Sequence, residues 1–387
     1  MKQGNDEFLT NLRSEMMRRD MSQRVLSKLV SKKESEISRW LSGKVSISKA
    51  NRMKIESALG VPLSPCSTFR RRDQNLRIGI IGSGNVAGRF VRETAFVEEV
   101  AVSAVFNPDY GQALSFCEQN AIAVCCKSLD DLWDNSDAVY IASPICTHFS
   151  YCRLALEHNH HVLCEMPFTD TRREADALYR IAAKNDLVLL PALKTAYCES
   201  FLQMVSIAKS GVIGKIVDVS ATVTNLLPED TVPAFSNERM MENLTYPILV
   251  LLKLFGPGPD KVHSFVREKD DKVLFVHSVA DYGDCFGDFK IGVGVKSEGS
   301  LVISGTEGYI YVPAPWWKMD YFEVRFENPG ENKKYYFPYE AAGLRYEIKA
   351  FYDSIKRSAQ ADFLPKTDLL AMIDLQNKMV SNRYYGK

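Results

Sequence analysis

Gly82, Gly84 and Ala87 fall in the run Gly-Ser-Gly-Asn-Val-Ala-Gly, directly after the apolar stretch LRIGII. The first glycine permits a tight turn, and the second lets the backbone approach a pyrophosphate. Ala87 lets a following helix pack close to the strand before it. Ser83, Asn85 and Val86 complete the turn, where the first N–H groups of that helix and its positive dipole end would meet phosphate. The chemistry these residues suit is dinucleotide binding. The glycine pattern alone is a weak signal, and its place between a strand and a helix gives it weight. The residue expected at the adenosine ribose follows the next strand and is Asn107. A carboxylate at that place binds the ribose diol and repels a 2′-phosphate. Asn does neither strongly, and Asp109 lies only two residues on, so the cofactor is NAD or NADP.

Alternating elements must hold this turn. The sequence predicts strands at LRIGII, VAVSAVF, DAVYIAS (137–143), HHVLCE (160–165) and LVLLPA (187–192), with helices over 147–158 and 170–185. Short β-branched runs separated by helices describe an α/β, doubly wound parallel sheet of the Rossmann type. Further strands are predicted at VHSFVRE, VLFVHSV, FKIGVGV and SLVISG, which suit an open, mostly antiparallel sheet.

A chain of 387 residues suggests two or three domains. The expected division is a small all-α head over 1–60, a linker over 61–75, the dinucleotide domain over 76–195 and an α+β domain over 196–387. The last helix is expected to pack back on the dinucleotide domain. No apolar run is long enough to span a membrane, and the polar start shows no secretory leader. The nine cysteines contain no C-x-x-C pair, and several lie in apolar stretches. A reducing, cytoplasmic setting is the expectation. His158, His160 and His161 span a helix end and a strand start, and no metal is expected there.

The balanced net charge hides an asymmetry. Residues 1–75 carry 16 Lys and Arg against 8 Asp and Glu, leaving 32 against 40 for the rest. A basic head suits a polyanion. Within it Phe8, Leu9, Leu12 and Met16 share one helical face. Ser22 is a predicted N-cap for a helix with Val25, Leu26 and Leu29 inward, and a polar turn follows at 31–33. A third helix over 35–41 turns Ile37, Trp40 and Leu41 inward and ends before Gly43. A last helix runs from about Lys49 to Leu59.

MSQRVLSKLVSKKESEISRWLSGK, followed by KIESALGVP, resembles the phage-repressor type of helix-turn-helix domain. The resemblance implies duplex DNA as partner. Gln23 would contact backbone phosphate, Lys33, Glu34, Ser35, Glu36 and Arg39 would face the major groove, and Lys44 would also meet the DNA. Two acidic residues on that face are unusual for DNA contact, and a helical interaction domain is the alternative.

IASPICTH (141–148) and HVLCEMPF (161–168) are similar to the glucose–fructose oxidoreductase and inositol dehydrogenase family, Gfo/Idh/MocA. ALKTAYCESF (192–201), GVIGKIVDVSA (211–221), GTEGYIYVPAPWWKMDYFEVRFE (305–327) and GLRYEIKAFYDSI (343–355) support the likeness. It implies NAD(P) chemistry on a small sugar-like or polyol ligand. It also implies cofactor contacts from Ser143, Pro144, His148, Glu165, Met166 and Pro167, and a homodimer or higher homo-oligomer built on the open sheet.

The same resemblance exposes a gap. The family's Glu-Lys-Pro lysine assists proton transfer, and here the triplet is Glu165-Met166-Pro167. Met has no charge, no donor and no titratable proton. A second family pattern sets an Asp and a His or Tyr four residues apart on a helix. This chain offers Glu242 and Tyr246, which share a face, but Leu244 replaces an intervening glycine and is expected to crowd the pocket. Lys194 either replaces the missing lysine in part or simply lines the cleft. Trp316 and Trp317 are a sugar-stacking pair or packed aromatics. Two readings follow: a transcriptional regulator that senses NAD(P) or a sugar-like ligand, or an active oxidoreductase with a DNA-binding or interaction head.

Overall fold

The computed structural model describes residues 8, 9, 12, 13, 16, 21–45, 47–59, 75–226, 232–269, 272–359, 363–381 and 383–385. The chain divides into two compact units, Met1–Gln74 with Ile355–Ala359, and Asn75–Ser354 with Gln360–Lys387. The expected linker lies outside the described residues, apart from Asn75.

The first unit is helical. Helices α1 (Gln23–Leu29), α2 (Glu34–Leu41) and α3 (Lys49–Leu59) enclose a core of Phe8, Leu12, Leu26, Ile37, Trp40, Ile47 and Ile55. Ser22 caps α1 by accepting the Val25 N–H at 3.3 Å. Gly43 follows α2 with φ +73°, the left-handed conformation that ends a helix. Two inward assignments on α1 are corrected. Val25 is 46% and Leu29 48% exposed, while Leu26 and Val30 are buried. Leu26 and Val30 are one turn apart and take the core stripe. Val25 and Leu29 each sit about 100° away from it.

The second unit holds two sheets. The parallel sheet contains β1 (Leu76–Ile81), β2 (Val100–Phe106), β3 (Val124–Cys126), β4 (Ala138–Ile141), β5 (His161–Glu165) and β6 (Leu189–Ala192), in the order β3-β2-β1-β4-β5-β6. Its inner strands are buried on both faces, which is why they read as continuous apolar runs. Helices α4 (Asn85–Thr94), α5 (Tyr110–Asn120), α6 (Leu129–Asp134), α7 (His148–Glu157) and α8 (Arg172–Lys184) connect them. Strand β3 was not legible as a strand, since its three residues are too few for a periodicity. Strand order reverses between β1 and β4, and the crevice outside the carboxyl ends at such a point is where ligands bind.

The second sheet follows α9 (Glu199–Lys209). It contains β7 (Ile216–Asn225), β8 (Lys261–Lys269), β9 (Lys272–Asp281), β10 (Phe286–Val293), β11 (Leu301–Gly305), β12 (Tyr309–Val312), β13 (Tyr321–Arg325), β14 (Lys333–Tyr336) and β15 (Arg383–Tyr385). The order is β14-β13-β12-β11-β7-β10-β9-β8-β15, antiparallel except at the β7–β10 and β8–β15 pairs. Helix α10 (Val232–Phe255) packs on this sheet, with Leu251 against Gly287 of β10. Helix α11 (Leu344–Arg357) follows β14, and helix α12 (Lys366–Ser381) returns to α8. Lys366 pairs with Asp176 at 2.6 Å, and the Asn377 amide donates to the Asp170 carbonyl at 3.1 Å. No helix among the described residues is long and apolar enough to cross a membrane.

Candidate dinucleotide and sugar-ligand site

The glycine loop joins β1 to α4 at the switch point. Gly82 has φ +112°, and a Cβ there would collide with the Ala142 carbonyl oxygen. Packing of β1 against β4 therefore dictates glycine at that position. Gly84 is different. Its φ of −80° suits any residue, and no atom lies within 4 Å of where its Cβ would be. The fold leaves this side open, at the N-terminus of α4, where backbone could meet a pyrophosphate. Ala87 is fully buried beneath it.

At the end of β2 the Asn107 amide donates to Ser83 Oγ at 2.7 Å, and its oxygen accepts the Asp109 N–H at 2.9 Å. The Asp109 carboxylate caps α5, accepting the Gln112 N–H at 3.1 Å and the Gln112 amide at 3.0 Å. Asp109 is thus committed to its helix, and Asn107 presents a neutral amide beside the loop. These residues fit a nicotinamide dinucleotide. When bound, such a group supplies or accepts hydride.

A cavity of about 450 Å³ opens where β4, β5 and β6 end. Ser143, His148, Glu165 and Met166 form one wall, and Lys194 stands on the short turn after β6. Glu242 and Tyr246 come from α10, one turn apart as their spacing requires. Leu244 corrects an expectation. It is buried and absent from the cavity wall, because it lies about 200° round the helix from Glu242. It does not crowd the pocket. Pro144 and Pro167 flank the wall without lining it. The Pro167 carbonyl oxygen lies 2.8 Å from His148 Nδ1, and the Ser143 carbonyl oxygen lies 2.9 Å from Nε2. The buried imidazole thereby ties the β4 turn to the Glu165-Met166-Pro167 turn.

The electrostatics of the cavity are unusual. Burial pushes the Glu165 carboxyl up to about 7. A hydrogen bond from the Tyr140 hydroxyl opposes this, and the charge of Glu242 adds to it. Burial also pushes the Lys194 ammonium down to about 8, helped by the positive charges of Lys318 and Arg89 and opposed by Glu347 and Glu165. The Tyr246 hydroxyl is held well above its ordinary range by burial. Glu242 pairs with Arg239 at 2.6 Å.

The tryptophan pair divides. Trp316 is fully buried, and its indole N–H donates to the Thr222 carbonyl at 3.1 Å. Trp317 lines the cavity with its ring centroid 6.0 Å from that of Tyr246. The three clustered histidines each have other partners. His158 stacks on Trp133 and His161 Nδ1 accepts the Val188 N–H, while His160 Nε2 lies near the Trp133 and Ser136 carbonyls. Among the described residues no cluster of His, Cys, Asp or Glu could hold a metal ion.

The sequence reading missed Arg89, Asn243, Lys318 and Glu347, which also line the cavity. A signal existed for Glu347. It occupies a core-facing position of a helix among Leu344, Ile348 and Phe351, where a carboxyl is out of place.

In the helical head Gln23, Lys33, Glu34, Ser35, Arg39 and Lys44 are exposed. Glu36 is half-buried and pairs with Lys32 at 3.1 Å.

Residues 76–193 match the model of an oxidoreductase family with an NAD-binding Rossmann fold, and residues 12–65 match a helix-turn-helix model. A scyllo-inositol 2-dehydrogenase (NADP(+)) of Bacillus subtilis is 29% identical over 48% of this chain and 60% of its own length. An uncharacterized oxidoreductase of Escherichia coli is 31% identical over 54% of this chain and 67% of its own. The alignments thus span roughly 60% to two thirds of these relatives. A 3-ketoreductase from Actinomadura kijaniata, solved with NADP and TDP-benzene, superposes with a TM-score of 0.73 at 18% identity. It covers 81% of this chain and all of its own. At that identity it shows the fold.

Proposed function

Because this chain belongs to the Gfo/Idh/MocA oxidoreductase family and carries an added helix-turn-helix segment, we propose that it is a DNA-binding regulator. It senses NAD(P), or a sugar-like ligand held beside NAD(P), with little or no turnover. The observation that carries this reading is Met166, which is buried in the cavity wall where the family places its lysine. A thioether neither moves a proton nor stabilises a developing charge. Binding residues are retained around it, in the open Gly84 turn, the Ser83–Asn107 pair and the His148 tie. The exposed face of Lys33, Glu34, Ser35, Arg39 and Lys44 supports duplex DNA as the partner of the head. A two-fold dimer acting on a pseudo-palindromic site in the cytoplasm completes the proposal.

The test is a thermal melt of the full chain with NAD, NADH, NADP and NADPH, together with an assay of polyol turnover. Cofactor binding raises the melting temperature by mass action. No rise with any of the four rejects the proposal.

One observation favours a second reading. Lys194 brings an amine with a neutral-range pKa into the same cavity, which suits proton transfer to a carbonyl oxygen. In this reading the chain is a sugar or cyclitol oxidoreductase, with Lys194 or Tyr246 carrying the proton. Substantial turnover that Lys194→Met abolishes selects it over the regulator.

A further inference from the structure

Three basic side chains face the cavity from three separate elements. Arg89 stands on α4, Lys194 on the turn after β6 and Lys318 on the turn between β12 and β13. None of them has an ion-pair partner among the described residues. A fourth base, Arg239, is different, since Glu242 answers it at 2.6 Å.

The nearby carboxyls Glu165, Glu347 and Glu93 act on these bases without pairing with any of the three. Glu165 is pushed up to about 7, and Glu347 is held well above the ordinary carboxylate range, in both cases chiefly by burial. The bases meanwhile act on one another. Lys318 and Arg89 both depress Lys194, and Arg89 depresses Lys318 in addition to burial. Like charges held together in a half-buried space without a counter-ion raise the energy of the fold. An anion in the cavity would relieve that energy.

Two residues of the cavity wall also hold polar atoms that lack a partner. Asn243 Nδ2 and Glu347 Oε2 are buried and have no hydrogen-bond partner, and both residues line the space. Unmet polar atoms of this kind are costly unless a ligand answers them. A small shift of either side chain toward the cavity would bring an amide donor or a carboxyl group to a hydroxyl, as a polyol would supply. The dinucleotide's pyrophosphate is not the anion sought, because Gly82, Ser83, Gly84 and Asn85 are absent from the cavity wall.

We propose that the ligand of this cavity is a polyol bearing an oxyanion, carboxylate or phosphate, gripped by Arg89, Lys194 and Lys318, with its hydroxyl groups meeting Asn243 and Glu347. This rests on reading the cavity as a sugar-ligand site beside the dinucleotide.

The test is calorimetric titration of the full chain saturated with NADPH, after a melt confirms that NADPH binds. The probes are glucose, glucuronate and glucose 6-phosphate, then myo-inositol and inositol monophosphate. The proposal expects at least one anionic probe to bind about ten-fold or more tighter than its neutral parent, with the advantage shrinking as salt is added. The glucuronate and phosphate arms separate the two sources of oxyanion. Lys318→Met should remove most of the advantage while leaving the NADPH shift intact. Arg89→Met serves as a second variant if the first is poorly folded. Equal binding of charged and neutral probes, or no binding by any charged probe, overturns the proposal but leaves cofactor sensing standing. Loss of NADPH binding in both variants assigns these bases to the cofactor and also overturns it. No shift with any of the four dinucleotides in the natural protein rejects the underlying reading and the proposal with it, and where NADH alone shifts the melt it replaces NADPH in the titration.

Discussion

Met166 and Lys194 stand just past the ends of neighbouring strands, β5 and β6, and face one cavity. The position that carries a lysine in the family is a thioether here, and an amine reaches the same space from one strand over. Restoring an amine at the family's own position is therefore informative. Met166→Lys is expected to raise turnover of a polyol with NADP by at least about ten-fold. A natural protein that already works as fast as the variant would show that the thioether is no handicap.

The two loop glycines should fail in different ways. Gly82→Ala places a Cβ against the Ala142 carbonyl at a positive φ, so it should cost more than about 2 kcal/mol of stability. Gly84→Ala meets nothing, and should cost under about 1 kcal/mol while abolishing the NAD(P)-induced melting shift. Paired melts with and without cofactor check both. A Gly84→Ala variant that keeps its full shift would remove the loop from the cofactor site.

This contrast marks what was legible in the sequence. The glycine loop, the parallel strands and the shared face of Glu242 and Tyr246 depend on local spacing, and local spacing is written in the chain. Arg89, Lys194, Lys318 and Glu347 meet only because α4, β6, the β12–β13 turn and α11 converge, and no spacing encodes that convergence. Val25 and Leu29 were misjudged because a seven-residue helix with four apolar residues in and around it has more than one plausible inward stripe. Leu244 was judged from family position without its angle round the helix.

Asn107 sets the expectation for cofactor choice. Its neutral amide does not repel a 2′-phosphate, and the carboxylate two residues on, Asp109, is occupied in capping α5. NADP should bind at least as tightly as NAD. Asn107→Asp should weaken NADP by about ten-fold relative to NAD, or ~1.4 kcal/mol. Titration by cofactor fluorescence gives both constants, and an unchanged ratio would place the adenosine ribose elsewhere.

Glu165 predicts a pH dependence. Its carboxyl sits at about 7 in the fold against an ordinary value of 4.5, so the folded chain holds a proton that the unfolded chain releases across this window. The contribution to stability is complete below pH 4.5 and is lost as pH rises through 7. Glu165→Gln cannot ionise and escapes the loss. The variant should gain roughly 1–3 kcal/mol on the natural protein between pH 4.5 and pH 8. Denaturant melts at the two pH values check this, and a constant difference would mean that Glu165 titrates normally.

In the head, Arg39 and Lys33 are exposed on the face expected to meet duplex DNA. Arg39→Ala should weaken binding, and if its contact is a phosphate it should lower the salt slope by about 1. Leu26→Ala, in the buried core of the head, should instead cost about 2–5 kcal/mol and unfold it. Binding isotherms at several salt concentrations distinguish the two effects.

Under the proposed regulator function the helix-turn-helix answers to NAD(P), alone or with a sugar-like ligand held beside it. The most direct measurement is the affinity of the full chain for a duplex enriched from random sequence, taken without ligand, with the saturating dinucleotide, and with the dinucleotide plus the polyol probes. A change of at least about five-fold in dissociation constant is expected in one of the liganded conditions, the scale of a real coupling between two sites. Equal affinities in all conditions, with the dinucleotide demonstrably bound, would contradict the proposed function.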